Sequence, residues 1–353
     1  MANEKQEIRI LHIDTGLDWR GGQRQALTLH RLLLEKGISS TMLCNEKGEM
    51  WNIAQANKIK NVLCFNFRSE YSIRNHLELI SINKKVNPNI VHCHDSHSIS
   101  LSLFLRGSLK VGTRRVSYKL KKISRLFKYS LIDVHVGVSE EIRSYLNKFF
   151  KNSHVINSCI DLKRFKNKNR LKIFDANKKN ILFVGALTSQ KGIDILLPSF
   201  KSASQRFLDI HLHIVGDGNL MGFLKQSVKK MNLVEKISIH GWQKNIENFY
   251  ISSDLIICPS VSGEGSSGVI KEGLAANKTV IASDLQCNKE IIQNNINGLL
   301  FHNKDSNSLE KVLTHWLTNN NLIDKENIAK SLEKFSCEKM TEKYIDLYLK
   351  YQK

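Results

Sequence analysis

The chain has 353 residues, 41% hydrophobic and 24% charged, with a formal net charge of +20; this suits a globular protein of two domains or one large one and excludes collagen-like and low-complexity classes. Seven scattered cysteines without a C-x-x-C pair exclude a disulfide framework. No apolar run approaches the ~18 residues of a spanning helix, and residues 1–9 lack the apolar stretch of a secretory signal, so a cytoplasmic location with reduced thiols is expected.

Strand candidates fall at 8–13, 41–43, 62–65, 90–93 and 134–138, and again at 181–184, 211–215, 237–239, 255–258 and 279–282. Helix-like stretches separate them. Ala26, Leu29 and Leu33 recur at helical spacing, and Gly37 follows as a stop. Such alternation predicts an α/β class with parallel sheets covered on both faces. Between 165 and 179 the chain is crowded with Lys166, Lys168, Arg170, Lys172, Lys178 and Lys179 and reads as a polar linker. The expectation is two doubly wound, Rossmann-like domains, 1–170 and 171–335, facing a cleft, with a closing segment 336–353. In such sheets ligands bind beyond the carboxyl ends of the strands.

From Arg106 to Lys128 nine basic residues occur without an acidic one, interleaved with Val116, Tyr118, Leu120, Ile123, Leu126 and Phe127. This pattern reads as a basic amphipathic helix on an anionic membrane, worth about 1 kcal/mol per basic residue near the surface. A solvated basic face, or a segment gripping a phosphorylated substrate, is the other reading. Nucleic acid is not an expected partner, because no helix-turn-helix, zinc-finger or RNP-type pattern is present.

The most informative stretch is 255–284, where a strand leads through Pro259-Ser260 into a glycine-rich loop, a short helix and another strand. Gly265 and Gly268 let backbone approach a ligand, and amides at the helix start carry partial positive charge suited to phosphate. Gly263, Gly265 and Gly268 also satisfy G-x-G-x-x-G, and Asp284 ends the next strand, as in a dinucleotide fold. Glu264, however, would sit inside a pyrophosphate loop and repel it, whereas a carboxylate beside sugar hydroxyls accepts several hydrogen bonds.

Glu264 and Glu272 are separated by seven residues, with Pro259-Ser260 before them and Gly273-Leu274-Ala275-Ala276 after. This resembles the E-x7-E motif of retaining glycosyltransferases of the GT-B fold, family 4. The resemblance implies that Glu264 binds hydroxyls of the transferred sugar and Glu272 the donor ribose. The backbone of Gly265, Ser266, Ser267, Gly268 and Val269 would receive the diphosphate. Gly185 to Gly192 looks like the family's G-R-x-x-x-x-K-G segment; Lys191 keeps the lysine that neutralises the diphosphate, but Ala186 stands where arginine is usual. Trp242, in Ile239-His240-Gly241-Trp242, falls in the segment that reads the base, with a core position as its other reading. Gly21 and Gly22 resemble the family's Gly-Gly loop near the donor phosphate. Val91-His92-Cys93-His94 resembles the strand-end V-H-x-H motif, whose second histidine, His94 here, contacts the donor sugar. As a metal site this histidine pair lacks a visible second cluster, and a closed zinc site wants four converging ligands.

Thr113-Arg114-Arg115-Val116 and Lys128-Tyr129 resemble members acting on lipopolysaccharide core or related glycans, and in this fold a terminal helix, here 336–353, crosses back to the first domain. The implied activity is retaining transfer from a nucleotide-sugar donor to a lipopolysaccharide-core, O-antigen or other surface-glycan or glycolipid acceptor. Lys191, Glu264 and His94 would act at the reacting centre, with no cofactor and no metal. The implied place is the cytoplasm, peripheral on the inner face of the inner membrane through 106–128. A nicotinamide-dependent oxidoreductase rests on the glycine fingerprint alone. A non-catalytic basic module binding glycan or lipid would not need the Glu264/Glu272 pair.

Overall fold

The computed structural model describes residues 7–166, 168–319 and 322–352. Two compact units emerge, Met1–Cys159 with Cys337–Lys353, and Ile160–Ser336. The second begins earlier than the charge-crowded stretch suggested. Its first segment, Leu162–Phe165, is a short helix fixed by the Asp161 side chain accepting from Lys163 N, and Phe165 joins the second unit's core.

In the first unit seven parallel strands form one sheet among the described residues: β1 (Arg9–Asp14), β2 (Ser39–Asn45), β3 (Val62–Phe65), β4 (Ile90–Cys93), β5 (Leu109–Arg114), β6 (Val134–Gly137) and β7 (Ser153–Val155). Their order is β3-β2-β1-β4-β5-β6-β7. Direction of winding reverses between β1 and β4, so the loops after these two strands open the crevice where doubly wound sheets bind ligands. The strands are buried nearly throughout, as the continuous apolar run Ile90-Val91 and the β-branched Val134 and Val136 suggest. Helix Gly21–Glu35 turns Ala26, Leu29 and Leu33 inward. The last helix, Cys337–Tyr351, packs Met340, Tyr344, Leu347 and Tyr348 against Ile10, Leu29, Leu33 and Val111 of this same unit. Each such fully buried aliphatic side chain contributes about 1.5–3 kcal/mol.

The second unit repeats the plan with β8 (Lys179–Val184), β9 (Ile210–Val215), β10 (Ile237–Gly241), β11 (Leu255–Cys258), β12 (Thr279–Ser283) and β13 (Leu299–Phe301). The order is β10-β9-β8-β11-β12-β13, all parallel, with the reversal between β8 and β11.

One expectation is corrected. The basic stretch 106–128 is not a single helix. Leu109–Arg114 is an interior strand paired with β4 and β6, because Val111, Gly112 and Thr113 are small or β-branched and fit a sheet buried on both faces. Helix is confined to Lys122–Phe127, where Ile123, Leu126 and Phe127 are exposed at 74%, 54% and 72%.

Candidate active site

In the second unit the loops after β8 and β11 bring Lys191 and Glu264 together: Lys191 Nζ donates to Glu264 Oε1 at 2.5 Å. Ser260 Oγ donates to the same oxygen at 2.7 Å, and Ser283 Oγ on β12 anchors the Ser260 carbonyl. Lys191 closes the turn Ser189–Lys191, and Gly192 follows with φ of +68° before helix Ile193–Arg206. A Cβ on Gly192 would lie 2.0 Å from the Pro259 carbonyl oxygen. Only glycine therefore lets the lysine turn press against the Pro259-Ser260 segment, an approach completed by Val261 N donating to Gln190 O at 2.8 Å. Gly185 follows β8 beside the aliphatic stem of Lys191.

Beyond Glu264 the chain runs through Gly265 and Ser266 to Ser267, whose side chain caps helix Gly268–Ala275 by accepting from Ile270 N. Nothing lies within 4 Å of where a Gly268 Cβ would stand, so the first amides of this helix border open space, with Val269 half-buried behind them. Lys271, 1% exposed, donates to Ser266 Oγ at 2.9 Å and adds positive charge under the loop. Glu272, one turn along, is 8% exposed. Its Oε1 accepts from Arg164 Nη1 at 3.0 Å and its Oε2 from Tyr250 OH at 2.9 Å. Arg164 also donates to Glu247 through Nε and Nη2 at 2.8 and 2.6 Å. Burial and the neighbouring Glu272 push the Tyr250 phenol well above its ordinary range, which keeps it a donor. A carboxylate oxygen accepts more than one bond, so Glu272 can take hydroxyl donors of a ligand in addition to these partners. Trp242, just beyond β10, is 68% exposed and is no core residue.

In the first unit, Gly21 and Gly22 open the helix Gly21–Glu35. A Cβ on Gly22 would come 3.3 Å from Arg115 Cδ, so glycine here admits the arginine. Arg115 Nη2 donates to His94 Nδ1 at 3.1 Å. Because guanidinium only donates, His94 carries its proton on Nε2 and gives it to His12 Nδ1, 3.0 Å away. Both ring nitrogens of His94 are thus engaged by the protein, and an imidazole contact to a sugar requires one of them to be released.

His12, which sequence reasoning missed, lies directly opposite His92 in the β1–β4 register. Among the described residues His12, His92 and His94 form the one group of histidines with nitrogens close enough, within 4.8 Å, to share a metal ion. Most of their ring nitrogens are engaged by protein partners. His92 is already bonded on both nitrogens, to Tyr348 OH and Thr113 Oγ1 at 2.7 Å each, and the Arg115 charge sits beside His94. Burial above all holds all three well below the ordinary histidine range, and therefore neutral.

Arg164, Tyr250 and Glu247 were also missed. Arg164 sits in the stretch that reads as a linker, and nothing in the spacing of Tyr250 marks it as other than core.

Two doubly wound units, with acidic, lysine and amide-rich loops at the switch point of the second, define a glycosyltransferase of the GT-B architecture. The chain belongs to the family-4 glycosyltransferases: a family model described as "Glycosyltransferase Family 4" matches residues 19–164 and one described as "Glycosyl transferases group 1" matches 164–335. This removes the oxidoreductase alternative. An Escherichia coli UDP-Gal:alpha-D-GlcNAc-diphosphoundecaprenol alpha-1,3-galactosyltransferase is 25% identical, covering 99% of this chain and 98% of its own. Among solved structures, Anabaena HepE in complex with UDP superposes with TM-score 0.84 at 13% identity, covering 96% of this chain and 99% of its own. The lipopolysaccharide outer core galactosyltransferase WaaB gives 0.76 at 17%, covering 97% and 99%.

Proposed function

We propose that this protein transfers a sugar from a uridine-diphosphate donor, with retention at the anomeric carbon and without a metal ion, to a lipopolysaccharide-core, O-antigen or related surface-glycan acceptor. The observation that carries the reading is the pairing of Lys191 with Glu264, and of Arg164 with Glu272, around one amide-rich loop. Glu264 accepts hydrogen bonds from hydroxyls of the transferred sugar, and Glu272 from those of the ribose. As the bond from C1 to the diphosphate oxygen breaks, negative charge grows on the leaving group. Lys191 and the amides at Gly268–Val269 stabilise it, which lowers the barrier because the charge is larger in the transition state than in the bound donor. Front-face attack by the acceptor oxygen gives retention, and its proton passes to the departing phosphate oxygen, so no protein base is assigned. The protein cations take the place a metal would fill on the diphosphate. Ala186 leaves Lys191 as the cation of its segment, which predicts weaker donor affinity than in relatives with arginine there. Uridine is chosen because both the E. coli relative and the HepE complex carry it in their names.

We further propose that the protein works at the cytoplasmic face of the inner membrane, held there by helix Lys122–Phe127. Exposed Ile123, Leu126 and Phe127 stand among Lys121, Lys122 and Arg125, a pairing of apolar and basic groups that suits an anionic bilayer. Co-flotation with phosphatidylglycerol vesicles, lost in Ile123→Ser/Phe127→Ser, tests this; equal flotation of the variant sinks it.

The decisive experiment on function is thermal denaturation with UDP, GDP and ADP, followed by turnover of Glu272→Ala. A ligand at ~100 times its Kd adds about 2.7 kcal/mol to stability. A shift with UDP alone, and at least a ~10-fold loss of turnover in the variant, about 1.4 kcal/mol, support the reading. No response to any nucleotide overturns it.

A further inference from the structure

Both places where the chain passes between the two units are marked by a cysteine. The first unit ends at Cys159 and resumes at Cys337. The two thiols lie within that one unit, with Cys337 Sγ 3.1 Å from Cys159 Sγ. Each is held from its backbone. Gln25, on helix Gly21–Glu35, accepts from Cys159 N at 2.9 Å and donates to Cys159 O at 2.8 Å. Thr341 Oγ1 donates to Cys337 O at 2.8 Å. On the other side of the crossings, within the second unit, Ile160 bridges Ser336, with Ile160 N donating to Phe335 O at 2.9 Å. The pair is thus pre-positioned by three hydrogen bonds to its own backbone, all within the first unit, and not by chance contact of mobile side chains.

We propose that Cys159 and Cys337 are a modification site: a small-molecule disulfide oxidises them to a reversible cross-link that clasps both crossings. The thiolate of Cys337, the more exposed of the two at 7% against 4%, attacks the small disulfide, forming a mixed disulfide and releasing one small thiol. Cys159 then attacks the Cys337 sulfur, the protein S–S bond forms, and the second small thiol leaves. Two protons and two electrons pass from the protein to the oxidant. The bond closes Ile160–Ser336 into a covalent loop and ties the start of helix Cys337–Tyr351 to the end of the first unit's sheet. Cross-linking of this kind constrains the unfolded chain most when the loop is long. The inference stands on the first unit's own geometry and does not depend on the sugar-transfer reading.

The competing thiols are identifiable. Cys44 and Cys64 are register partners on β2 and β3, while Cys93, Cys258 and Cys287 are buried elsewhere. The test uses the full chain under native conditions with oxidised glutathione, followed by non-reducing peptide mapping, intact mass and thermal denaturation. The expected result is a Cys159–Cys337 linked peptide, a mass lower by two hydrogens, faster migration on a non-reducing gel, and a higher melting temperature that dithiothreitol reverses. Cys159→Ser and Cys337→Ser should each lose all four. A Cys44–Cys64 link in its place, glutathione adducts without an internal link, or a melting temperature that does not move would overturn the proposal.

Discussion

Arg164 Nη1 lies 3.0 Å from Glu272 Oε1, and the same guanidinium holds Glu247 at 2.6 Å. One cation therefore neutralises two largely buried carboxylates, and the orientation of Glu272 depends on a residue ahead of β8. Replacing Arg164 by Met takes this cation from both carboxylates and leaves Tyr250 OH as a donor to Glu272. Loss of a charge-assisted bond to a buried partner costs about 2–3 kcal/mol, so Arg164→Met should destabilise the second unit by roughly that amount and weaken UDP binding. Adding Glu247→Gln removes one of these two charges and should restore part of the stability without restoring UDP affinity. Chemical denaturation and nucleotide titration of the two variants check this. Equal UDP affinity in wild type and Arg164→Met would detach Glu272 from the donor.

Gly192 is the backbone hinge that brings Lys191 to Glu264. An alanine there meets the Pro259 carbonyl oxygen at 2.0 Å in a left-handed conformation, which by itself costs about 1–2 kcal/mol for a residue with a Cβ. Gly192→Ala should therefore displace the lysine turn, lowering kcat and donor affinity together while the sheet remains folded by circular dichroism. Gly222, in helix Met221–Lys230 with nothing near its Cβ position, is the control. Gly222→Ala should raise stability by about 0.5–1 kcal/mol and leave activity unchanged.

How much of this was legible in the residues depends on the range of the contact. Sheet strands announced themselves through runs such as 255–258 and 134–138, whose apolar character is set by burial on both faces, and the pairing Pro259-Ser260 with Glu264 and Glu272 is local in sequence. Arg164 and Tyr250 reach Glu272 from far along the chain, so no spacing rule predicts them. His12 is adjacent to His92 only through strand pairing, which places the first strand beside the fourth. The basic stretch 106–128 misled because charge outweighed the small residues of β5, yet Val111 and Thr113 are buried. Trp242 is a case where composition was neutral between core and surface, and exposure decides it.

The Arg115–His94–His12 chain fixes tautomers and so has a spectroscopic signature. Both His94 and His12 should appear as neutral rings protonated on Nε2 in nitrogen-15 spectra, and stay neutral well below the usual histidine range because burial, foremost, disfavours the charge. Arg115→Met removes the donor that pins Nδ1 of His94 and should allow its other tautomer. His12 Nε2 has no partner among the described residues, so His12→Phe removes one orphan donor while stranding the His94 Nε2–H, and its net effect on stability should stay within about 1–2 kcal/mol. A His94 protonated on Nδ1 in the wild type would break the chain.

Acid should unfold the protein through its buried histidines. His30 and His135 are each lowered to about 4, in both cases mainly by burial. The unfolded chain binds a proton at each near 6.5, whereas the native state does not until about 4. Between those values the unfolded state holds more protons, so stability falls as pH drops through 6.5 and levels off below about 4. Each group accounts for roughly 3 kcal/mol at the bottom of that window, since one pKa unit is about 1.4 kcal/mol. His135 stacks on Phe150 with centroids 4.1 Å apart, so phenylalanine fits its place and cannot titrate. His135→Phe should flatten the fall in stability between pH 6.5 and 4 while His30 still contributes, measured by urea denaturation at closely spaced pH values. A variant whose pH profile runs parallel to wild type would show that His135 is protonated in the native state and that its burial carries no such penalty.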